Sequence, residues 1–269
     1  MYELAKSESV QYQEQIRDKL EISGYAFLSG EKFTMSSDVE QSLGSLINSF
    51  EDLPVDPYDH EGLRHRRYGR FLYIPWQDAL LEQPAIIKDD GRRVVEYVQP
   101  LSFNSEHGGK RRPFTPLHPV TRHNIALLEL IRFDFWSLPI PKDWAGMPIT
   151  VGVHQVSLRP SNGKNAVSSP NHFHQDGEPF TYVHLMERRN VDGGFNYIGS
   201  PELSGFHPSE VKRNLIKEYF LLESFLDSFV VHDKMVSHYV GEVMEGNGLG
   251  EPIRAALLID FTPNFPNIG

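Results

Sequence analysis

The sequence predicts a mainly β protein with flanking helices, an α+β chain with an antiparallel sandwich or barrel as its core. After Pro141 it contains short β-branched and aromatic runs separated by Gly, Pro, Asn and Asp, as is typical of such a core: ITVGVHQVSL, TYVHLME, FNYIGS, SFVVHD, MVSHYV and IRAALLIDF. Helical patterns precede these runs instead of alternating with them, which disfavours a doubly wound parallel sheet. We expect one domain over residues 1–269.

Two helices are predicted near the N-terminus. Three apolar residues have helical spacing within residues 8–22: Val10, Ile16 and Leu20. Gly24 is expected to end this helix before the extended run YAFLSG. A second helix is expected after Ser37, with an apolar stripe on its buried face: Val39, Leu43, Leu46, Ile47 and Phe50.

The middle of the chain predicts a basic strand, a turn and a long helix. The run RHRRYGRFLYIPW, residues 64–76, has four arginines beside an aromatic stretch, and we interpret it as a strand with a solvated basic edge. FNSEHGGKRRPF predicts a hairpin turn around Gly108 and Gly109. Residues 119–139 predict one long helix with an inward apolar face: Leu127, Leu128, Ile131, Phe135 and Leu138.

Two segments of the second half are expected to depart from the sheet. Residues 208–223 predict a helical insertion between strands. The C-terminal run DFTPNFPNIG, with Phe261, Phe265 and two prolines, is expected to be an extension that covers apolar surface.

Composition limits the partners of the chain. Its 36 acidic and 26 basic residues give a formal charge of -10, so no nucleic-acid partner is expected. Without cysteine, a metal would be bound by histidine and carboxylate alone. The first thirty residues lack the pattern of a signal peptide, and no apolar run is long enough to cross a membrane. We therefore expect a cytoplasmic protein without a membrane partner.

The stretch NHFHQDGEP places histidines and acids at alternating positions: His172, His174, Asp176 and Glu178. Alternate side chains of a strand share a face, so His174 and Asp176 could bind one metal. Two histidines and one carboxylate form the facial triad of non-haem Fe(II) oxygenases. A His-x-acid pair also arises by chance about once or twice in a chain of this composition. A polar strand edge is therefore the alternative, and a metal site needs a third ligand.

Support for a metal site lies downstream. His238 is in the middle of the run MVSHYV, and Arg254 lies in IRAALLIDF. An arginine in an apolar strand must reach solvent or pair with an anion, and a guanidinium can hold the far carboxylate of a dicarboxylic cosubstrate. His232 competes with His238 as the third ligand. His154 and His184 are expected to be hydrogen-bonded structural histidines.

The order of motifs resembles the Fe(II)- and 2-oxoglutarate-dependent dioxygenases, and more closely the bacterial free L-amino acid hydroxylase family that includes L-isoleucine 4-hydroxylase. The similar blocks span residues 64–261: RRYGRFLY, GGKRRPF, IRFDF, GVHQV, SSPNHFHQDGEPFTYVHLM, the GG-x-N-x-I run ending in SP, and the segment from His238 to Arg254. Two features depart from the family's pattern. His172 stands where an apolar or aromatic residue is expected, and the insertion at residues 208–223 is longer than expected.

The resemblance implies a double-stranded β-helix core, a jelly-roll or cupin-like arrangement. It implies that His174, Asp176 and His238 bind Fe(II), that Arg254 binds 2-oxoglutarate, and that dioxygen is the oxidant. Related halogenases have a small residue in place of the carboxylate, so Asp176 indicates hydroxylation. The implied reaction is hydroxylation of an unactivated C–H bond in the side group of a free L-amino acid, with succinate and CO2 as co-products. The implied substrates are isoleucine, leucine or a citrulline- or pipecolate-like amino acid, within a specialised-metabolite pathway.

A free amino acid requires a receptor for its ammonium and another for its carboxylate. Glu178, two positions beyond Asp176, is a candidate for the ammonium. The other candidates for contacts with the substrate are Arg67, Tyr68, Arg70, Arg132, Asp134, Gln155 and Arg159.

Three alternatives stay open. The same chemistry could act on a peptide-bound or carrier-bound residue. A non-catalytic, cupin-like metal-binding or ligand-binding module is the second, although it would not need Arg254. A hydrolytic zinc site is disfavoured because no general base accompanies the triad.

Overall fold

A computed structural model describes residues 2–33, 35–101, 103 and 108–264. The helices of this part are α1 (Tyr2–Ser23), α2 (Ser37–Asn48), α3 (Pro119–Arg122) and α4 (Ile125–Trp136). Its strands are β1 (Tyr25–Leu28), β2 (Arg64–Ile74), β3 (Ala79–Glu82), β4 (Ile86–Ile87), β5 (Arg93–Tyr97), β6 (Arg112–Phe114), β7 (Ile149–Leu158), β8 (Phe180–Arg189), β9 (Val191–Gly193), β10 (Asn196–Gly199), β11 (Ile216–Phe220), β12 (Ser228–His232), β13 (Ser237–Val240), β14 (Val243–Glu245) and β15 (Ile253–Pro263).

A seven-stranded antiparallel sheet forms the centre of the fold, in the order β1-β12-β8-β15-β7-β2-β3. Alternation along β15 gives this sheet two faces. Leu257 and Ile259 face the helices and belong to the main hydrophobic core. Arg254 and Leu258 face the opposite side and line a cavity. The helix face is therefore the packing face, and the other face carries the polar chemistry.

The N-terminal helices and α4 pack on the helix face of the large sheet. Ile16 and Leu20 of α1 are buried in the core, as are Val39 and Leu46 of α2, whereas Val10 is exposed. The long helix predicted over residues 119–139 is divided in two. Asn124 lies between α3 and α4, and its side chain accepts a hydrogen bond from the backbone of Leu127, which caps α4.

Smaller sheets lie across the cavity from the large one. β10 pairs with β11 and β13, and β9 pairs with β14. His174 continues the first of these sheets, because its backbone pairs with that of His238 in β13. A further sheet consists of β4, β5 and β6. The predicted turn at Gly108 and Gly109 lies in the connection between β5 and β6. The two facing layers form the jelly roll that the sequence predicted.

Two predictions about local structure are wrong. The basic run at residues 64–74 is not a solvated edge: β2 lies between β7 and β3, and Arg64 is buried in an ion pair with Asp56. The segment at residues 208–223 is not a helix either. It contains short 3-10 turns and β11, whose backbone pairs with β10. Strand pairing, which depends on the rest of the fold, here outweighs the local helical pattern.

The C-terminal strand β15 ends at Pro263. Phe261 is buried in the main core, so this part of the predicted extension does cover apolar surface. The rest of that prediction, with Phe265, falls on residues 265–269, outside the described residues. None of the helices in the described part combines the length and the apolar composition that crossing a bilayer requires.

Candidate metal centre and active-site cavity

A cavity between the large sheet and β13 contains the histidines and acids that the sequence pattern selected. The space between its walls, with the open mouth included, is about 900 Å³. His174, Asp176, His238, Glu178 and Arg254 all line it. The two layers of the fold therefore bring together residues that lie up to eighty positions apart in the sequence.

His174, Asp176 and His238 converge on one point of this cavity. One possible ligand atom from each residue lies within 4.8 Å of the others. Asp176 places Oδ1 3.6 Å from His174 Nε2 and Oδ2 3.4 Å from His238 Nε2. Ligand atoms about 2.1 Å from a shared ion and about 90° apart lie about 3 Å from one another. The observed separations thus fit a shared ion better than a direct hydrogen bond.

The histidines present the right ring atoms for a metal. His174 Nδ1 lies 2.9 Å from the carbonyl oxygen of His172, to which it can donate a hydrogen bond. That bond leaves Nε2 as the free ligand atom, as is usual for metal-binding histidines. The backbones of His174 and His238 exchange two hydrogen bonds of 2.9 Å, so the two imidazoles are held side by side. His172 therefore contributes its backbone carbonyl to the orientation of His174.

The protonation states also suit a metal. Burial, followed by repulsion from His174, lowers the pKa of His238 to about 4, so the imidazole is neutral at pH 7. Burial raises the pKa of Asp176, but the opposing contributions of His238, His174, Thr181 and Arg66 together hold it below its ordinary value, so the carboxyl is ionised. Neutral imidazole and carboxylate are the forms that bind divalent metals. The donor set of two nitrogens and one carboxylate fits ferrous iron.

The turn that carries Asp176 is fixed from two sides. Gly177 has φ of +91°, a conformation that favours glycine. Gln99 donates a hydrogen bond of 2.8 Å to the carbonyl of Asp176, and Arg112 donates one of 2.6 Å to Gln99. On the other side, the carboxylate of Asp233 accepts hydrogen bonds from the backbone of Asp176 and Gly177. The position of the Asp176 carboxylate is thus set by its surroundings.

Arg254 lines the same cavity, and the described residues offer no ion-pair partner for its charge. It is 4% exposed, and its Nε and Nη2 atoms are buried with no hydrogen-bond partner among the described residues. Burial, and then the charge of Arg188, lower its pKa to about 10, so it is still a cation at pH 7. A buried, unpaired cation is costly unless an anion binds it. Arg254 thus fits the far carboxylate of a dicarboxylic cosubstrate.

Three more arginines line the cavity from β2 and β6; Arg64 is paired with Asp56, which leaves Arg66 and Arg112. Arg66 lies over the ring of Phe114, with 4.6 Å from Cζ to the ring centroid, and its Nη2 is 2.7 Å from His154 Nδ1. Arg112 lies over Tyr97 at 4.9 Å. The Nε atoms of both arginines are buried with no hydrogen-bond partner among the described residues. These two atoms provide a second cationic region in addition to Arg254.

Two carboxyl groups face this second cationic region. Glu178 Oε2 is buried and has no hydrogen-bond partner in the part of the structure that is described. Burial, and then the charges of Asp260 and Asp176, raise the pKa of Glu178 well above its usual value. Burial and the charge of Asp176 raise the pKa of Asp260 to about 7. Gly152 makes room for Asp260, since a Cβ at this position would clash with the Asp260 carboxylate.

Comparison with known proteins decides the family. A sequence model described as 2OG-Fe dioxygenase matches residues 47–260. The chain belongs to the 2OG-Fe dioxygenase family. This confirms the resemblance found in the sequence, and with it the use of Fe(II), 2-oxoglutarate and dioxygen by an enzyme of this family.

Two relatives of this dioxygenase have names that describe enzymes acting on amino acids. It is 27% identical over 221 residues to the L-isoleucine-4-hydroxylase of Bacillus thuringiensis, with 81% of this chain and 82% of the relative covered. It is 28% identical over 252 residues to the 3(1)-hydroxy-L-isoleucine 4-dioxygenase of Pantoea ananatis, with 90% and 92% covered.

Solved structures confirm the jelly-roll fold of the dioxygenase. The crystal structure of IDO from Bacillus thuringiensis is similar with a TM-score of 0.71 at 20% identity, covering 94% of this chain and 96% of that one. That of a bsmA homologue from Methylobium petroleophilum gives the same TM-score and identity, covering 93% and 92%. At this identity the likeness concerns the fold alone.

Three predicted substrate contacts of the dioxygenase lie on the helix side of the large sheet. Gln155 donates a hydrogen bond to Ser49 at the end of α2, and Arg159 donates to the backbone carbonyls of residues 50 and 51. Arg67 donates to the carbonyl of Pro116. None of the three lines the cavity. The structure therefore does not bring these three residues together with the triad.

Arg132 and Asp134 of α4 are also outside the cavity. Arg132 forms ion pairs with Asp78 and Glu129 at the surface. Asp134 is fully buried, 2.9 Å from His184 Nε2. The large sheet lies between these two residues and the cavity.

Tyr68 and Arg70 lie behind the cavity wall. Tyr68 stacks on His154 with 4.2 Å between ring centroids and is buried. Arg70 follows on the same face of β2, near Asp260. Neither lines the cavity directly, so both support the wall rather than form it. Glu178 is the predicted substrate contact that does line the cavity, and its role stays a prediction.

The remaining histidines occupy distinct surroundings. His184 is hydrogen-bonded to Asp134 and Ser228, as expected for a structural histidine. His154 is also hydrogen-bonded, but it lines the cavity between Arg66 and Asp260. His232 lies at the end of β12 and stacks on Phe180, away from the triad. The structure therefore groups His238, and not His232, with His174 and Asp176.

Sequence reasoning missed several polar residues of the site: Arg66, Arg112, Asp233, His154 and Asp260. Arg66 had a signal, because alternation in β2 places either residues 64 and 66 or residues 65 and 67 on one face. Nothing in the sequence chose between these faces. Arg112 and Asp233 had no signal, because they reach the site through a hairpin and a turn whose positions depend on the whole fold.

Proposed function

We propose that this dioxygenase hydroxylates an unactivated C–H bond in the side group of a free L-amino acid, with His174, Asp176 and His238 holding Fe(II) and Arg254 holding 2-oxoglutarate. The observation that carries this proposal is the set of unpaired charges in one cavity. Beside the triad, Arg254 needs one anion, and a separate region offers both cationic and acidic groups. A diacid and an amino acid together satisfy these charges.

The protein's own residues define the position of the cosubstrate. Arg254 and Leu258 lie on the same face of β15, and Leu258 is opposite Val183 of β8. A diacid whose far carboxylate meets Arg254 would extend along this apolar wall toward the triad. When bound, iron with 2-oxoglutarate and dioxygen supplies the oxidising equivalents, and 2-oxoglutarate leaves as succinate and CO2.

The second charged region supports an amino-acid substrate. The carboxylate would meet the unpaired Nε atoms of Arg66 and Arg112, and the ammonium would meet Glu178 with Asp260 nearby. An ammonium there favours ionised Glu178 despite its burial. Groups fixed in this way orient one carbon toward the metal and exclude water from it. The names of the two relatives, both enzymes of isoleucine or its hydroxylated form, support the same substrate class.

Asp176 supports hydroxylation as the outcome. A carboxylate in the third ligand position leaves no room for a halide there, and its pKa keeps it ionised. The proposed products are a hydroxy amino acid, succinate and CO2. A non-catalytic module gives no reason for the buried, unpaired Arg254.

The expectations on partners and location stay predictions. We propose a cytoplasmic enzyme with a small-molecule substrate and no nucleic-acid partner, in keeping with its charge of -10. A single domain over residues 1–269 likewise stays a prediction.

The test compares free amino acids with their blocked derivatives. Iron-loaded protein would be incubated with 2-oxoglutarate, oxygen and isoleucine, leucine, hydroxyisoleucine, citrulline or pipecolate, each also as N-acetyl and methyl ester forms. We expect at least one free amino acid to raise succinate above the uncoupled level and to gain one oxygen by mass spectrometry. Its two blocked forms should be much weaker, because each loses one charge-assisted contact.

Matched variants distinguish the loss of the proposed ammonium receptor from a general effect on the fold. Glu178→Gln should raise KM for the free amino acid, whereas Gln155→Glu, on the helix side of the sheet, should leave the substrate preference unchanged. Activity on the N-acetyl form equal to that on the free amino acid would contradict a free substrate and favour a peptide-bound one. Failure of every amino acid to raise succinate would contradict the proposed substrate class.

A further inference from the structure

Asp233 lies in the turn between β12 and β13, directly against the turn that carries Asp176. It is 2% exposed. Its Oδ1 accepts a hydrogen bond of 2.6 Å from the backbone N–H of Asp176, and its Oδ2 accepts one of 3.0 Å from that of Gly177. One carboxylate thus binds two successive N–H groups of the candidate metal turn.

The backbone of Asp233 adds two more bonds to the same turn. Its N–H donates a hydrogen bond of 3.1 Å to the carbonyl of Pro179. Its carbonyl accepts a hydrogen bond from the side chain of Gln175. Asp233 therefore contacts residues before, within and after the turn, and the position of Asp176 depends on all four bonds.

Asp233 also connects this turn to the third ligand. It is followed by a short turn into β13, which carries His238. The backbone of His238 in turn pairs with that of His174 through two hydrogen bonds. The three candidate ligands thus belong to one closed network, in which Asp233 is the link between the carboxylate and the imidazoles.

We propose that Asp233 is a positioning residue that holds the Asp176 carboxylate at the distance from His174 and His238 that a metal requires. This inference rests on the metal site proposed above. Asp233 does not bind the metal itself, since the described cluster of ligand atoms contains His174, Asp176 and His238 alone. Partners that orient ligands in this way change metal affinity about 10- to 100-fold when they are removed.

The chemistry of the contact favours aspartate at this position. Two N–H donors are satisfied by the two oxygens of one short side chain. Asparagine retains one oxygen but turns an N–H₂ group toward the second donor. Asp233→Asn should therefore lose part of the effect and Asp233→Ala all of it.

The test is a Co(II) titration of the metal-free protein, followed by visible absorption. We expect Asp233→Ala to bind Co(II) about 10- to 100-fold more weakly than the parent, and Asp233→Asn to lie between them. The absorption bands of the bound Co(II) should also shift in the variants, because they report the geometry of the ligands.

Asp134→Asn is the matched control, since Asp134 is equally buried but lies on the helix side of the sheet. It should lower the unfolding temperature and leave both Co(II) affinity and absorption unchanged. Because Asp233→Asn is nearly isosteric, it serves as the test variant if Asp233→Ala does not fold.

Each outcome bears on the inference. Parent-like Co(II) affinity and spectrum in a folded Asp233→Asn or Asp233→Ala protein would overturn the role of Asp233 and leave the metal site intact. Equal weakening of Co(II) binding by Asp134→Asn would overturn it too, because the effect would then reflect stability alone. No Co(II) binding by the parent would overturn both the inference and the proposed metal site.

Discussion

Two buried clusters of histidine and aspartate lie on opposite sides of the large sheet. The cavity-side cluster is His174, Asp176 and His238; the helix-side cluster is Asp134, His184 and Ser228. In the helix-side cluster His184 lies 2.9 Å from Asp134 and 2.8 Å from Ser228, and all three residues are fully buried. In the cavity-side cluster the nitrogen and oxygen atoms lie 3.4 and 3.6 Å apart.

The difference shows what separates a structural cluster from a ligand-binding one. In the helix-side cluster both ring nitrogens of His184 lie within hydrogen-bonding distance of a partner, although Asp134 Oδ1 is buried without one among the described residues. The cavity-side groups are too far apart for such hydrogen bonds, and their orientation is set by backbone partners instead. Both clusters contain histidine and aspartate. The distances between the nitrogen and oxygen atoms, and not the composition, point to a metal.

The largest expected effect comes from breaking the cavity-side cluster. Asp176→Ala removes one of three proposed ligands, so coupled turnover should fall at least about 1000-fold. The metal-free variant should still fold, because the hydrogen bonds that hold this turn use the backbone of Asp176 and not its side chain. Succinate release and urea unfolding measure the two effects. Coupled turnover within tenfold of the parent would contradict the proposed ligand set.

The reverse pattern is expected on the helix side. Asp134→Ala leaves His184 Nε2 buried without a partner, so the unfolding free energy should fall by about 3 kcal/mol. KM and kcat of the folded variant should stay close to those of the parent. Chemical denaturation and steady-state kinetics at a temperature where both proteins are folded give the comparison. A change in kcat without a loss of stability would show that this cluster reaches the reaction.

A smaller effect is expected at the cosubstrate end of the cavity. Arg254→Met removes the charge-assisted hydrogen bonds proposed for the diacid, so the affinity for 2-oxoglutarate should fall roughly 10- to 100-fold. 2-Oxoglutarate should therefore raise the unfolding temperature of Arg254→Met by less than it raises that of the parent. Arg159→Met, on the helix side, is the control and should retain that rise. Equal shifts in both variants would exclude Arg254 as the anchor.

The smallest effect concerns pH and the acids of the cavity. The folded-state pKa of Asp260, about 7 through burial and the charge of Asp176, exceeds the value of about 3.9 in an unfolded chain. The folded state therefore holds this proton more tightly, and stability from this group is lost as pH rises from about 4 to about 7. Asp260→Asn should remove that loss.

Urea unfolding of the metal-free protein at two pH values measures this effect. Between about pH 5 and about pH 8, the free energy of unfolding of Asp260→Asn should rise relative to that of the parent by on the order of 1 to 2 kcal/mol. An Asp260→Asn gain that is the same at both pH values would mean that Asp260 does not titrate in this range.

Local patterns were reliable where burial has a regular period. The stripe of α2 and the strands after Pro141 were predicted correctly because a single buried face imposes helical or alternating spacing. The same reasoning failed at residues 208–223, where β11 is mostly exposed and its pairing with β10 decides the structure. It also failed for β2, which was predicted to be a solvated edge, because a basic run does not show that strands will pair with it on both sides.

Local sequence patterns were limited in the same way for the residues of the site. His174, Asp176, His238 and Arg254 were found from residue type, spacing and resemblance, and the structure brings all four to one cavity. Most of the predicted substrate contacts were not brought there. We predicted a substrate contact from Arg67, whereas the structure places Arg66 in the cavity. Adjacent residues of a strand point to opposite faces of the sheet.

By itself, the sequence determined the mainly β fold, the family and the four residues at the centre of the site, since these depend on periodicity and on residue types with restricted chemistry. Only the tertiary structure decided which polar groups accompany them. Arg66, Arg112, Asp233 and Asp260 reach the site from separate strands and turns. Their positions follow from strand register and from the packing of two sheets, which no local stretch of sequence specifies.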